Sequence, residues 1–146
     1  MVVGSFIIGL DVDKHGIGEC IAEVAGRYGI DSLNALFLTP LRGTRLWDRM
    51  KSEGRIALDT FPEDWKYYTL TFPVARYMNL SCEDIIKEMI SCDGDFYSMS
   101  HILRRVWGNL WHRRKPLISL IGNLSYRSNS RLDRKAYESF QAYVKA

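Results

Sequence analysis

Two apolar runs separated by one amphipathic stretch open the chain, and the pattern does not recur later. The first run, Val2-Val3-Gly4-Ser5-Phe6-Ile7-Ile8-Gly9-Leu10, is rich in β-branched and aromatic residues and is closed by Asp11. A strand apolar on both faces belongs to a parallel sheet covered by helices. From Asp13 to Tyr28, Ile17, Cys20, Ile21, Val24, Ala25 and Tyr28 recur at spacings of three and four. That period predicts a helix, with Asp13 as its N-cap and Gly29 as its stop. Leu33 to Leu38 form the second apolar run, ended by Thr39-Pro40. Strand, helix and strand within so short a span make a βαβ unit, whose crossover is expected to be right-handed. Two parallel strands do not make a stable sheet by themselves. The front of the chain therefore reads as the cut edge of a larger α/β domain.

The remainder reads as mainly helical. Thr44 caps a short helix to about Glu53, with Leu46, Trp47 and Met50 on one face and Gly54 as the stop. Residues 55–80 hold two prolines and no clear period, with one short strand expected near Tyr68–Phe72. Phe61, Trp65, Tyr67, Tyr68, Phe72 and Tyr77 are too many aromatics for a solvated linker, so this segment is expected to pack on the rest. Ser81, followed by Glu83 and Asp84, opens a helix whose apolar face holds Ile85, Ile86, Met89 and Ile90. Asp93-Gly94 is expected to bend or end it. Further helices are expected over Ser98–Trp111, Pro116–Leu124 and Leu132–Val144, with a polar break at Ser125–Ser130. The organisation is thus residues 1–60 as the α/β front, 61–80 as an irregular aromatic connector and 81–146 as a helical extension.

Composition narrows the class. Apolar residues make up 47% and charged residues 25%, which excludes wholesale disorder. No run of about 18 uncharged apolar residues is present, so no transmembrane segment is expected. The N-terminus is apolar at once, without the basic region of a signal peptide, and a cytoplasmic location is expected. Cys20, Cys82 and Cys92 form no CxxC and have no ligand-like spacing to His15, His101 or His112. They are read as reduced, mostly packed thiols, and no metal site is assigned.

The positive charge is concentrated at one end. Residues 1–60 carry seven basic and eight acidic side chains, residues 61–95 three and seven, and residues 96–146 ten and two. Arg104, Arg105, Arg113, Arg114, Lys115, Arg127, Arg131, Arg134 and Lys135 are interleaved with Trp107, Trp111 and Tyr126. This pattern is open to three readings. It suits RNA phosphates with stacked bases, an anionic membrane surface, or a solvated basic face around a core tryptophan stripe.

Two motifs carry the chemistry. The first, Gly4-Ser5-Phe6-Ile7-Ile8-Gly9-Leu10-Asp11-Val12-Asp13, delivers two carboxylates at a strand's C-terminal end. There they either meet a ligand or simply end the strand and cap the helix. The second is Leu36-Phe37-Leu38-Thr39-Pro40-Leu41-Arg42-Gly43-Thr44-Arg45-Leu46-Trp47, followed by Lys51-Ser52-Glu53-Gly54-Arg55-Ile56. The ordered pair resembles the late strands of the radical S-adenosylmethionine superfamily, nearest to its cobalamin-binding, Fe-S oxidoreductase-like subgroup. The likeness covers residues 2–80, and the helical remainder resembles that family's C-terminal extension only loosely.

The resemblance implies a fold class of α/β with a partial (βα) barrel, of which this chain would be the C-terminal fragment starting at about the fifth strand. It implies S-adenosylmethionine and a four-iron four-sulfur cluster in the full-length enzyme, with cobalamin as a further cofactor, and none of them bound to this chain alone. The CxxxCxxC loop that holds the cluster is absent, so the isolated chain is expected to be inactive, and no catalytic residue is assigned. The family's fifth-strand pattern, which packs near the adenine and ribose, falls on Gly4, Phe6, Ile8 and Asp11. The end of its sixth strand, beside the adenine, falls on Phe37, Leu38 and Thr39. The expected partners are the missing N-terminal part of the barrel and a second copy of the isolated chain.

Overall fold

The computed structural model describes residues 2–111 and 116–145. In chain order the elements are β1 (Val3–Ile8), α1 (Ile17–Arg27), β2 (Ser32–Phe37), α2 (Arg45–Ser52), a 3-10 turn (Glu63–Tyr67), α3 (Cys82–Phe96), α4 (Met99–Trp111) and α5 (Pro116–Lys145). β1 and β2 are parallel, from Val3 beside Ser32 to Ile8 beside Phe37. Among the described residues these are the only strands; a single isolated antiparallel bridge, between Ile56 and Ala75, lies outside them.

This overturns the expected barrel fragment: the α/β character stands, but the sheet has two strands and no barrel is formed. The reason lies at the outer edge of β2. Backbone groups of successive residues point to opposite sides of a strand. Ser32 N–H bonds Val2 on the β1 side, so Leu33 faces outward. There the Tyr97 hydroxyl donates to the Leu33 carbonyl (2.8 Å) and accepts from its N–H (3.0 Å). Further along, the Phe37 N–H bonds the Leu70 carbonyl (2.9 Å). A side chain and a loop thus take the positions that a third strand would need.

The helical layer packs on one face of the pair. Ile8, Leu33 and Phe37 are buried there, and Ile30 fills the space where a Cβ on Gly4 would project. α1 presents Ile21, Ala22 and Ala25, and α3 presents Ile85, Ile86, Met89, Cys92 and Phe96. At Gly18 the two helices meet so closely that a Cβ would lie 2.1 Å from the Glu88 carbonyl oxygen. Glu88 also caps α1 from α3, accepting from the N–H groups of Gly16 and Gly18 at 2.9 Å each. The expected cap, Asp13, has another task described below, and α1 starts at Ile17 with Gly16 at φ 90°.

The opposite face of the sheet is bare. Val3 is 53% and Ile7 50% exposed, Ser5 and Asn34 are exposed, and Leu36 is half-buried. β1 is therefore covered on one face and not on both, contrary to the expectation from its continuous apolar run.

Two expected breaks do not occur. α3 runs through Gly94 to Phe96, because Phe96 is buried and anchors the last turn. α5 runs unbroken through Ser125–Ser130. Its polar stretch is held by Tyr126, stacked on Tyr97 (5.4 Å between ring centroids), and by Arg127, which donates to the Tyr97 carbonyl. No strand forms at Tyr68–Phe72. Tyr67 and Phe72 instead pack edge-on or tilted against Tyr137, Phe140 and Tyr143 of α5, tying the aromatic segment to the last helix.

Two predictions follow from this packing. Glu88→Ala should lower stability by about 2 kcal/mol, because it removes two charge-assisted bonds and a helix cap together. Urea unfolding measures this, and an unchanged midpoint would refute the capping role. Burial, with the charge of Asp133 adding to it, pushes the Asp93 carboxyl up to about 6. The folded state then holds that proton more tightly than the unfolded chain. The contribution is full below the unfolded value of 3.8 and is lost as pH rises through the folded value. Asp93→Asn should therefore raise the unfolding midpoint relative to the native chain at about pH 7.5, and by much less at about pH 4.

Candidate functional site

In parallel α/β folds, ligands sit beyond the C-terminal ends of the strands. β1 ends at Gly9, whose φ of 108° is costly for any residue with a Cβ. The Tyr77 ring occupies the space a Cβ would need there, at 2.4 Å. The chain then turns through Leu10 to Asp13. The Asp13 carboxylate accepts from the N–H groups of Gly9 (2.8 Å) and Leu10 (2.9 Å), and its own N–H bonds the Leu10 carbonyl. The Asn79 amide donates to the carbonyls of Asp11 (2.8 Å) and Asp13 (3.1 Å). Asp13 is thus a turn-forming residue within β1's own loop, and it is buried.

Asp11 faces a guanidinium. Arg55 Nη2 donates to Asp11 Oδ1 at 2.7 Å, Nη1 to Glu53 Oε2 at 2.9 Å, and Nε to the Arg76 carbonyl at 3.0 Å. Arg49 approaches Asp11 Oδ2 at 3.5 Å. The Arg55 hydrogen bond holds the Asp11 carboxyl below its usual range, against an opposing effect of burial. Burial alone would lower the Arg55 pKa, but its bonds to Asp11 and Glu53 hold it above the ordinary value. Asp11 is therefore a latch between the β1 turn and the segment after α2.

At the end of β2, the Leu38 N–H bonds the Ile8 carbonyl (2.8 Å) and the Leu38 carbonyl accepts from the Tyr77 hydroxyl (3.1 Å). Thr39 is buried and donates to the Phe37 carbonyl (3.1 Å). Thr44 caps α2 as the sequence indicates, accepting from the Trp47 N–H at 3.2 Å.

The seven residues singled out from the sequence fall into two groups. Asp11, Leu38 and Thr39 all lie beyond the C-terminal ends of the strands, past the side-by-side Ile8 and Phe37. Gly4 and Phe6 lie earlier in β1. Gly4, Phe6, Ile8 and Phe37 share the helix-covered face, since the register pairs Gly4 with Leu33, Phe6 with Ala35 and Ile8 with Phe37. Of the residues of opposite parity, Val3, Ser5, Ile7 and Asn34 are exposed, Leu36 is half-buried and Ser32 is buried. The period-2 alternation separates the two sets. Which set lies bare follows from where α1 and α3 pack, and no local signal carries that. Arg55, Tyr77 and Asn79, which fix the turn, also escaped the sequence reading, since each acts on residues far from it in the chain.

The cysteines stand apart. Cys20 is exposed, Cys82 half-buried and Cys92 buried. Burial pushes the Cys92 thiol up to about 12, and burial also raises that of Cys82. Among the described residues, no three His, Cys, Asp or Glu side chains are grouped to hold a metal ion. An iron–sulfur cluster, which takes several thiolates close together, does not fit these dispersed side chains.

The basic third is only partly within reach. Arg113, Arg114 and Lys115 lie outside the described residues, as do the side chains of Trp111 and Arg131. Arg105 faces inward, donating to the Phe96 carbonyl (2.8 Å) and to Asn123 Oδ1 (2.7 Å), with its guanidinium 3.9 Å from the Phe96 ring centroid. Among the described residues, no helix is long and apolar enough to cross a membrane.

Comparison with known proteins gives little. No family model matches the chain, and no solved structure matches it. It is similar to an uncharacterized methyltransferase of Pyrococcus horikoshii, 28% identical over 101 residues. The aligned part is 69% of this chain and spans about a fifth (21%) of that protein's length.

The latch can be tested directly. Arg55→Met should cost about 2 kcal/mol near neutral pH, because it leaves Asp11 and Glu53 without their shared cation. Asp11 contributes above its unfolded value of 3.8 and that contribution is lost as pH falls through its lowered folded value. The deficit of the variant should therefore shrink toward about pH 3, and a deficit independent of pH would rule out the ion pair as its cause.

Proposed function

We propose that this chain is the C-terminal part of a radical S-adenosylmethionine, Fe-S oxidoreductase-like enzyme and contributes one wall of its S-adenosylmethionine and substrate pocket. The observation that carries the reading is the uncovered face of a parallel strand pair. Parallel sheets are normally buried on both faces, yet Val3, Ser5 and Ile7 stand free here beside Asn34 and Leu36. By the alternation that turns Val2 and Ile8 toward β2, the backbone groups of Val3, Ser5 and Ile7 point to the side where no strand pairs among the described residues. Asp11 near the end of the first motif and Leu38-Thr39 near the start of the second both follow the C-terminal ends of the strands. The relative's name, methyltransferase, agrees with a protein that uses S-adenosylmethionine as a methyl donor.

S-adenosylmethionine would lie over the bare face and strand ends, not over Gly4 or Phe6. An iron–sulfur cluster and cobalamin would be held by residues other than the cysteines of this chain, and no chemical step is assigned to its side chains. The uncovered β1 edge should also draw a second copy of the isolated chain, since a free strand edge templates pairing.

Three measurements test the reading. In an amide NMR titration, S-adenosylmethionine should shift Val3, Ser5, Ile7, Asn34, Leu36 and Leu38 weakly and leave α4 and α5 unmoved. Absence of shifts at high ligand concentration, or shifts centred on α4 and α5, would count against the pocket. Anaerobic reconstitution with iron and sulfide should leave the chain without cluster absorbance; stoichiometric cluster uptake would overturn the assignment of its cysteines. Light scattering should show self-association that Ile7→Lys reduces, and a monomer at all concentrations would refute the open edge.

A further inference from the structure

α4 and α5 pack against each other. Arg105 of α4 bonds Asn123 of α5, and the Asn123 amide in turn donates to the Asp31 carbonyl (3.1 Å). Ile102 is fully buried beside them. These contacts fix which way each helix faces. At 3.6 residues per turn, Leu103 and Trp107 lie about 160° around α4 from Arg105, and Ile121 lies about 160° around α5 from Asn123. All three therefore point away from the body, and they are 58%, 70% and 68% exposed. Met99 and Leu124, also exposed, flank them. Large exposed apolar side chains on two adjacent helices mark an interaction surface.

The charge of the segment that carries these side chains chooses among partners. From Phe96 to Leu132 the sequence contains no Asp or Glu, while it contains seven Lys and Arg. Exposed Trp, Leu and Ile carried by a segment whose sequence is basic and acid-free match the boundary of an anionic bilayer. There the apolar side chains enter the acyl region and the cations meet the headgroups. Exposed Leu and Ile add nothing to phosphate contacts or base stacking, so single-stranded RNA is matched less well.

We propose that the α4–α5 pair docks peripherally on an anionic lipid surface, inserting Leu103, Trp107 and Ile121. This is independent of the reading given above for the sheet. It is tested by co-sedimentation of the whole chain with phosphatidylserine–phosphatidylcholine vesicles and with phosphatidylcholine vesicles alone. The chain should sediment with the anionic vesicles, weaken at least about tenfold with added salt, and bind neutral vesicles far less. Leu103→Glu with Ile121→Glu should reduce anionic binding by about tenfold or more. Both sites are exposed, so circular dichroism should be unchanged. Tryptophan emission should shift to the blue on anionic vesicles, and Trp107→Phe should remove most of that shift. Lack of sedimentation with anionic vesicles overturns the proposal, as does equal binding to neutral ones or binding unaltered in a folded double-glutamate variant. Salt-sensitive binding of single-stranded RNA without any binding of vesicles overturns it in favour of a nucleic-acid face.

Discussion

The Glu88 carboxylate sits on the N-terminus of α1, and the arrangement of the sheet depends on it. α1 has no cap of its own: Gly16 carries no side chain, and Asp13 is engaged with Gly9 and Leu10. Glu88 satisfies the N–H groups of Gly16 and Gly18 and places its negative charge at the positive end of the helix dipole. Gly18 allows the backbones of α1 and α3 to approach at that point. Two parallel strands have no stability of their own. They persist because this clamped pair of helices covers one of their faces.

The sheet that results is asymmetric in two ways. It is closed beside β2, where the Tyr97 hydroxyl and the Leu70 carbonyl take the outward backbone groups, and open beside β1. It is covered on the face of Ile8, Leu33 and Phe37 and bare on that of Val3, Ser5 and Ile7. Tyr97 also connects the sheet to the last helix, since Tyr126 stacks on its ring and Arg127 bonds its carbonyl. The edge closure and the continuity of α5 through a polar stretch thus have one cause. At the strand ends, Arg55, Asn79 and Tyr77 make the Gly9–Asp13 turn rigid, so whatever meets this end meets a preformed surface.

The local signals were legible wherever the chemistry was local. Thr44 before α2 and Ser81 before α3 both cap as their positions indicate, each accepting from an N–H three residues on. The period of three and four in Ile21, Val24 and Ala25 marks α1, and the apolar runs mark β1 and β2. Where the sequence misled, a distant group had intervened. Asp13 was displaced from its capping role by Glu88. The Ser125–Ser130 segment looks like a break, yet Tyr97 holds it helical. Gly94 carries no Cβ, but Phe96 fixes the turn that follows it.

The sequence by itself determined the βαβ order and the positions of most helices. These rest on periodicity, caps and chain connectivity, which act over a few residues. The tertiary structure decided which face of each element is covered. It set Gly4, Phe6 and Ile8 against the helices and left Val3, Ser5 and Ile7 bare, and it turned Leu103, Trp107 and Ile121 outward by drawing Arg105 and Asn123 in. It also closed the edge that a barrel would have continued. Those outcomes depend on which groups meet across the fold, and an alternating or periodic pattern gives the spacing of two faces without saying which of them will find a partner.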